Sequence, residues 1–299
     1  MDILELIGVT KRFGSKEVLR GVSLTVPERC VFGFVGRNGA GKTTAMKCVL
    51  GLLRPDGGEI RVCGERVTYG GTRTNRFVGY LPDVPEFYGY MNASEYMTLC
   101  GRITGMKPAA IRERIAELLE LVGLKDEHHR IGGYSRGMKQ RLGIAQALIN
   151  RPRLLICDEP TSALDPVGRR EILDILAAAK EQTSVLFSTH ILTDVERICD
   201  HVAFLEGGRI AAEGTIDEIK GLRADTAVEI LPEHPADLIR LQEAFPGAVI
   251  REGKIALANA SGETARALLR FIVEQEISVL RFERQEPTLE DLFMEVVGQ

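Results

Sequence analysis

The sequence predicts an α/β core built on a largely parallel sheet, followed by a small α+β unit, and three observations carry that prediction. From Ile3 to about Gly221 short β-branched runs alternate with helix-like stretches, the order expected of strands joined by crossover helices. Within that region the apolar run Cys30 to Val35 passes through a glycine-rich loop into a short helix over 44–52. After Gly221 the chain restarts in the order βαββαβ, the split βαβ or ferredoxin-like arrangement. A length of 299 residues suits two domains. They are taken as 1–221, with a helical subdomain over about 86–150, and 222–299.

The clearest strands of the first region are expected at Val22 to Val26, Cys30 to Val35, Phe77 to Leu81, Leu154 to Asp158 and Val185 to Ser188, each an apolar or β-branched run. His201 to Ile210 is two apolar runs around Gly207-Gly208, a hairpin. Between Asn92 and Leu124 the period changes to helical. Ile111, Ile115, Leu118, Leu119 and Val122 fall on one face, and Gly123 provides a stop. The second unit is expected as strand 226–231, helix 235–244, strand 248–251, a turn at Glu252-Gly253, strand 254–258, helix 262–274 and strand 278–283. A closing amphipathic helix over 288–297 begins with a capping-box-like Thr288 and carries apolar residues at helical spacing.

Bulk properties exclude several classes. With 44% hydrophobic and 27% charged residues the composition is that of an ordinary soluble globular protein. A formal net charge of −4 lacks the basic surplus of a nucleic-acid binder, so no nucleic-acid partner is expected. Cys30, Cys48, Cys63, Cys100, Cys157 and Cys199 include no close pair at metal-ligand spacing and read as reduced core thiols. The N-terminus lacks a basic segment followed by an apolar one, and no apolar run reaches the length of a membrane span. A cytoplasmic chain is expected, for which a membrane role needs a partner.

The run Gly36-Arg37-Asn38-Gly39-Ala40-Gly41-Lys42-Thr43-Thr44, between strand and helix, has the form of a phosphate-binding loop. Its glycines let the backbone turn tightly and bring N–H groups and the helix N-terminus to an anion. Lys42 can reach β- and γ-phosphate oxygens, and the Thr43 hydroxyl can hold one position around Mg²⁺. Leu154 to Asp158 is an apolar strand ending in two carboxylates. Asp158 suits Mg²⁺, directly or through water, and Glu159 suits the orientation or deprotonation of an attacking water. An acidic pair after a strand is commonly just a solvated turn; its position relative to the loop gives it weight.

Ser135 and the Gly137 amide sit at the start of another helix and could hold a second anion, although the same pattern serves an ordinary serine N-cap. His190 follows the strand ending at Ser188 and suits a γ-phosphate sensor, where a lone histidine would more often be structural. Ser162 to Asp165 follows the acidic pair. Phe13 lies upstream of the loop and could stack on adenine; a lone aromatic would default to core packing.

In this order the motifs resemble the nucleotide-binding subunit of an ATP-binding cassette transporter, over Leu4 to about Gly221. The matching parts are the aromatic Phe13, the Walker A run 36–44, the signature at Ser135 to Gln140, Walker B at Leu154 to Asp158, Glu159, the D-loop ending at Asp165 and the switch His190. The tail, with Pro287 to Phe293, is similar to the accessory domain of cassettes that pair with separate exporter permeases for drugs, antibiotics, lipids or polysaccharides.

Two positions depart from the family pattern. One is the signature run, where the usual Ser-Gly-Gly-Gln is here Ser135-Arg136-Gly137-Met138, keeping the serine and second glycine but losing the glutamine; at the other, the glutamine that usually touches the metal and reports to the permease is replaced by Asp83. A carboxylate can still coordinate Mg²⁺ or its water.

The resemblance implies a P-loop NTPase fold, ATP and Mg²⁺ as ligands, hydrolysis at Glu159, and two nucleotides sandwiched between paired subunits, whether two copies or a copy and a paralogue. It also implies an integral membrane permease, met from the cytoplasmic side; the aromatic loop Pro85 to Met91 beside the helical insert suits either a permease-facing groove or a local hydrophobic staple for the insert. A soluble cassette ATPase on DNA would need a long heptad insert between Gly41 and Ser135, and translation-linked cassettes usually come as two per chain; neither is present. A third reading is a nucleotide-gated regulatory module, against which Lys42, Asp158, Glu159 and His190 argue. The βαββαβ tail is expected to support pairing or regulation.

Overall fold

The structure, a computed structural model, describes residues 2–221, 227–251, 253–257, 260–285, 289–290 and 292–293. Its contacts divide the chain into compact units at 1–216 and 217–299, whereas the sequence suggests a break at Gly221.

The first unit opens with β1 (Asp2–Phe13), β2 (Lys16–Pro27), β3 (Val31–Val35), α1 (Lys42–Val49), β4 (Gly57–Val62), β5 (Glu65–Arg66) and β6 (Val78–Leu81). The helical stretch follows as α2 (Ala93–Ile103), α3 (Pro108–Leu121) and α4 (Arg136–Leu148). The unit then alternates through β7 (Leu154–Asp158), α5 (Pro166–Ala179), β8 (Ser184–Thr189), α6 (Leu192–Ile198), β9 (His201–Glu206) and β10 (Arg209–Thr215).

These strands form two sheets. One has the order β10-β9-β3-β8-β7-β6, parallel except for the β9–β10 hairpin. Its central strands β3, β7 and β8 are buried at every residue, as strands covered on both faces must be. The other sheet, β2-β1-β4-β5, is antiparallel. Val22 to Val26 belongs to this second sheet, because β2 alternates buried and exposed residues as a one-sided strand does.

The helical stretch is broken rather than continuous. Asn92 caps α2 in a reciprocal capping box with Glu95, both hydrogen bonds at 2.9 Å. Gly105, at φ +77°, ends that helix, and Pro108 opens α3 at a position that needs no N–H. Ile111, Ile115, Leu118 and Leu119 form the buried face of α3, and Gly123 follows at φ +64°.

The second unit contains α7 (Ile216–Gly221, from Asp217 onward), β11 (Ala227–Pro232), α8 (Ala236–Ala244), β12 (Val249–Arg251), β13 (Lys254–Leu257), α9 (Gly262–Glu274) and β14 (Val279–Gln285). Its antiparallel sheet has the order β12-β13-β11-β14, and Val228, Ile230, Leu241, Ile255, Leu268 and Ile272 are in its core. That is the ferredoxin-like arrangement. Of the expected closing helix, residues 289–290 and 292–293 are helical and the others lie outside the described residues, as do Thr226, Glu252 and Ala258.

The parallel sheet positions the site. In register, Val35 lies beside Thr189 and Asp158 beside Ser188, so the carboxyl ends of β3, β8 and β7 share one edge. Ligands of open parallel sheets bind at that edge.

Candidate functional site

The loop after β3 is shaped by backbone constraints. Gly36 is required by space, since a Cβ there would stand 2.6 Å from the carbonyl oxygen of Leu205. Gly39 and Gly41 are required by conformation, at φ +83° and +113°. Ala40 N–H closes the turn on the Arg37 carbonyl at 3.1 Å. Gly41 occupies the N-cap of α1, where no side chain caps the helix. Such a terminus presents backbone donors and the positive end of the dipole to an anion.

Lys42 is 5% exposed. Its Nζ donates to the Gly36 carbonyl at 2.6 Å and lies 3.0 Å from Glu159 Oε1. His190 Nδ1 lies 2.9 Å from the other oxygen, Oε2. Both carboxylate oxygens are thus engaged, one by the loop lysine and one by the histidine after β8. Glu159 adopts φ +47°, an uncommon conformation for a residue with a side chain, which turns the chain sharply away from β7.

Asp158, at the end of β7, is buried. The Ser188 hydroxyl donates to Asp158 Oδ1 at 2.7 Å and accepts the Glu159 N–H at 3.0 Å. Sequence reading gave Ser188 no role; the available signal was the polar Ser188-Thr189-His190 ending an apolar strand.

A cavity of about 530 Å³ lies over the loop, lined by Asn38, Gly39, Gly41, Lys42, Thr43 and Thr44 together with Asp83, Glu159, Ser162 and His190. Lys16 and Val18, from β2, also line it and carry no signal in the sequence reading. Phe13, at the end of β1, is half exposed, is not among these lining residues, and has Lys11 Nζ 5.4 Å from its ring centroid.

Ser135, Gly137 and Asp165 gather elsewhere. With Leu164, Gly168 and Glu171 they line a cavity of about 370 Å³. Ser135 caps α4 by accepting the Met138 N–H at 3.2 Å, and Asp165 caps α5 by accepting the Gly168 N–H at 3.2 Å.

The oxygen donors Thr43, Asp83 and Asp158 suit Mg²⁺, a hard cation that takes one or two carboxylates and completes its shell with water and substrate phosphates. Among the described residues no group of three or more His, Cys, Asp or Glu forms a cation site by itself.

Among the described residues no helix is long and apolar enough to cross a membrane. Comparison with known proteins matches residues 19–162 to the family described as ABC transporter, and residues 214–297 to the ATP-binding protein DrrA1-3-like, C-terminal domain. An uncharacterized ABC transporter ATP-binding protein of Bacillus subtilis is 37% identical over 298 residues, covering 99% of each chain. The Nod factor export ATP-binding protein I of a Rhizobium species is 36% identical over 306 residues, covering 99% of this chain and 97% of its own. A solved structure of an ATP-binding subunit of an ABC transporter is similar with a TM-score of 0.66 and 32% identity, over 74% of this chain and 92% of its own.

Proposed function

The chain belongs to the ABC transporter family as an ATP-binding, ATP-hydrolysing subunit, and from that premise we propose that it powers export through a separate permease while paired with a second cassette at the cytoplasmic face of the membrane. The observation that carries this reading is the chain of contacts Lys42–Glu159–His190 at the phosphate-binding loop.

When ATP enters, Lys42 exchanges the Glu159 carboxylate for the β- and γ-phosphate oxygens. The released Glu159 orients and deprotonates the attacking water, and His190 contacts the γ-phosphate. Asn38, Gly39, Ala40, Gly41 and Thr44 cradle the phosphates, with Gly36 and Arg37 shaping the turn, and Phe13 stacks on adenine. Thr43, Asp158 and Asp83 would hold Mg²⁺, which would neutralise phosphate charge when bound.

Ser135, Gly137 and Asp165 line a cavity different from that of Lys42. This supports a complete site in which the signature serine and glycine come from a second cassette, a copy or a paralogue. Closure of the pair on ATP and reopening after hydrolysis would move the permease. A groove of about 450 Å³ beside the helical stretch, lined by Asp83, Pro85, Phe87, Gly89, Gly132 and Lys139 among others, has the mixed apolar and charged character to take a cytoplasmic segment of the permease. The ferredoxin-like unit would serve pairing or regulation.

Full-length Glu159→Gln protein, affinity-purified with ATP and Mg²⁺ from detergent-solubilised native membranes, tests the reading. A dimer that forms only with ATP, accompanied by a stoichiometric polytopic membrane protein, is expected. A ribosomal or nucleoid partner without a membrane protein would overturn the transport assignment.

A further inference from the structure

The two departures from the family pattern meet in space. Arg136, in place of the first signature glycine, lies with Nη2 3.6 Å from Oδ1 of Asp83, which replaces the usual glutamine. A second contact runs from the same helix: Gln140, one turn after Arg136 in α4 and 1% exposed, donates through Nε2 to the Asp83 carbonyl at 2.6 Å. Both the backbone and the carboxylate of Asp83 are therefore held from the first turns of α4.

Asp83 also lines both cavities, that over the phosphate-binding loop and the groove beside the helical stretch. Its Oδ1 is buried and accepts no hydrogen bond among the described residues, because 3.6 Å to Arg136 is an ion-pair distance and too long for a hydrogen bond. A desolvated carboxylate oxygen with only a loose cationic neighbour is poised to exchange that neighbour for a better one. Neither glycine at 136 nor glutamine at 83 could form this ion pair.

We propose that Arg136 is a positioning residue that acts through Asp83, holding its carboxylate toward the signature helix and competing with Mg²⁺ for it. Nucleotide-bound Mg²⁺ and Arg136 then exclude one another at Asp83. Metal binding at the loop would release Arg136 at the start of the signature helix of the same chain. This inference rests on the reading of Asp83 as a metal ligand.

The test uses full-length protein carrying Glu159→Gln, so that nucleotide is bound without turnover, and reads the Mg²⁺ concentration giving half-maximal binding of a fluorescent ATP analogue. Arg136→Ala is expected to lower that midpoint by about two- to fivefold, the range available to a half-exposed ion pair. Arg136→Lys, which keeps the charge, is expected to stay near the parent value. Asp83→Asn should raise the midpoint, and adding Arg136→Ala to Asp83→Asn should change it no further.

An Arg136→Ala midpoint equal to that of the parent overturns the inference. So does an equal lowering in the Asp83→Asn background, which would mean that Arg136 acts on the bound phosphates directly. An unchanged midpoint for Asp83→Asn alone removes the metal-ligand reading itself, and the inference with it. Thermal melting of each variant separates these outcomes from unfolding.

Discussion

Ser188 faces Asp158 across neighbouring parallel strands, and its hydroxyl joins the two carboxylate residues of the site by donating to Asp158 Oδ1 at 2.7 Å and accepting the Glu159 N–H at 3.0 Å. The strained turn at Glu159 is thus fixed by a residue from another strand. Ser188→Ala leaves a buried carboxylate oxygen and a backbone N–H without their partner, a cost of about 1–3 kcal/mol. Denaturant unfolding should show that loss. ATP turnover should fall further than stability does, by up to roughly a hundredfold, because Glu159 shifts relative to the reacting phosphate. Unchanged turnover in a folded variant would show that the hydroxyl does not set the Glu159 position.

Lys42 is predicted to govern nucleotide affinity as well as turnover. In Lys42→Met the phosphate oxygens lose a charged donor, and hydrogen bonds to charged groups contribute roughly 1.5–3 kcal/mol. Nucleotide binding should weaken roughly ten- to a hundredfold, read by equilibrium titration with a fluorescent analogue. An affinity within twofold of the parent, roughly the precision of such additivity arguments, would place the nucleotide away from this lysine.

Much of this organisation was legible in the sequence, for reasons that differ between elements. The phosphate-binding loop could be read because its glycines answer local demands on φ and space, and β3, β7 and β8 because both their faces are apolar. β1 was not assigned as a strand, since Gly8 at φ +58° and register shifts between Leu6 and Thr10 interrupt its alternation. Ser188 escaped because its role depends on which strand lies beside β7, and strand order is not written in local pattern. For the same reason motif order could not tell that Asp83 and Arg136 touch, or that Ser135 and Asp165 cap helices away from the cavity that holds Lys42.

Gly36 and Gly39 should respond to alanine in different ways. A Cβ on Gly36 would strike the Leu205 carbonyl oxygen at 2.6 Å, a backbone atom that no rotamer change can move. At Gly39 no atom stands within 4 Å, but φ is +83°. Gly36→Ala should cost roughly 1–3 kcal/mol by overpacking the base of the loop. Gly39→Ala should cost about 1 kcal/mol by backbone strain alone. Thermal melts of the two variants compare them, and equal losses would mean that the loop is free to move away from β9.

All six cysteines are free, and burial is in each case the leading cause that raises the thiol pKa, to about 12 for Cys30 and about 11 for Cys48. Thiolate is the reactive form. Native protein at pH 8 should therefore be alkylated slowly by iodoacetamide, with all six thiols reacting after denaturation. Rapid loss of a thiol in the native state would identify an opening of the structure at that cysteine.

Arg114 is predicted to anchor α3 against the core. It is 1% exposed. Its Nη1 donates to Glu117 at 2.6 Å and to Gln182 at 2.9 Å, while Nη2 donates to the Leu148 carbonyl at 2.8 Å at the end of α4. One guanidinium thus joins α3, the last turn of α4 and the turn leading into β8. Arg114→Leu fills much of the space but leaves the Gln182 amide oxygen without a donor and the Leu148 carbonyl with only the Arg151 N–H at 3.1 Å. Breaking a fully buried pair costs about 3–5 kcal/mol, and the partial exposure of Glu117 brings the expectation down to roughly 2–3 kcal/mol. Arg114→Lys should recover only part of this, because an ammonium on a flexible stem cannot reproduce the planar fork that meets all three partners. Urea unfolding gives the stabilities, and amide exchange along 108–121 gives the local effect. A loss below about 1 kcal/mol for Arg114→Leu, within the range of an exposed pair, would show that packing of Ile111, Ile115 and Leu118 holds this helix without the arginine.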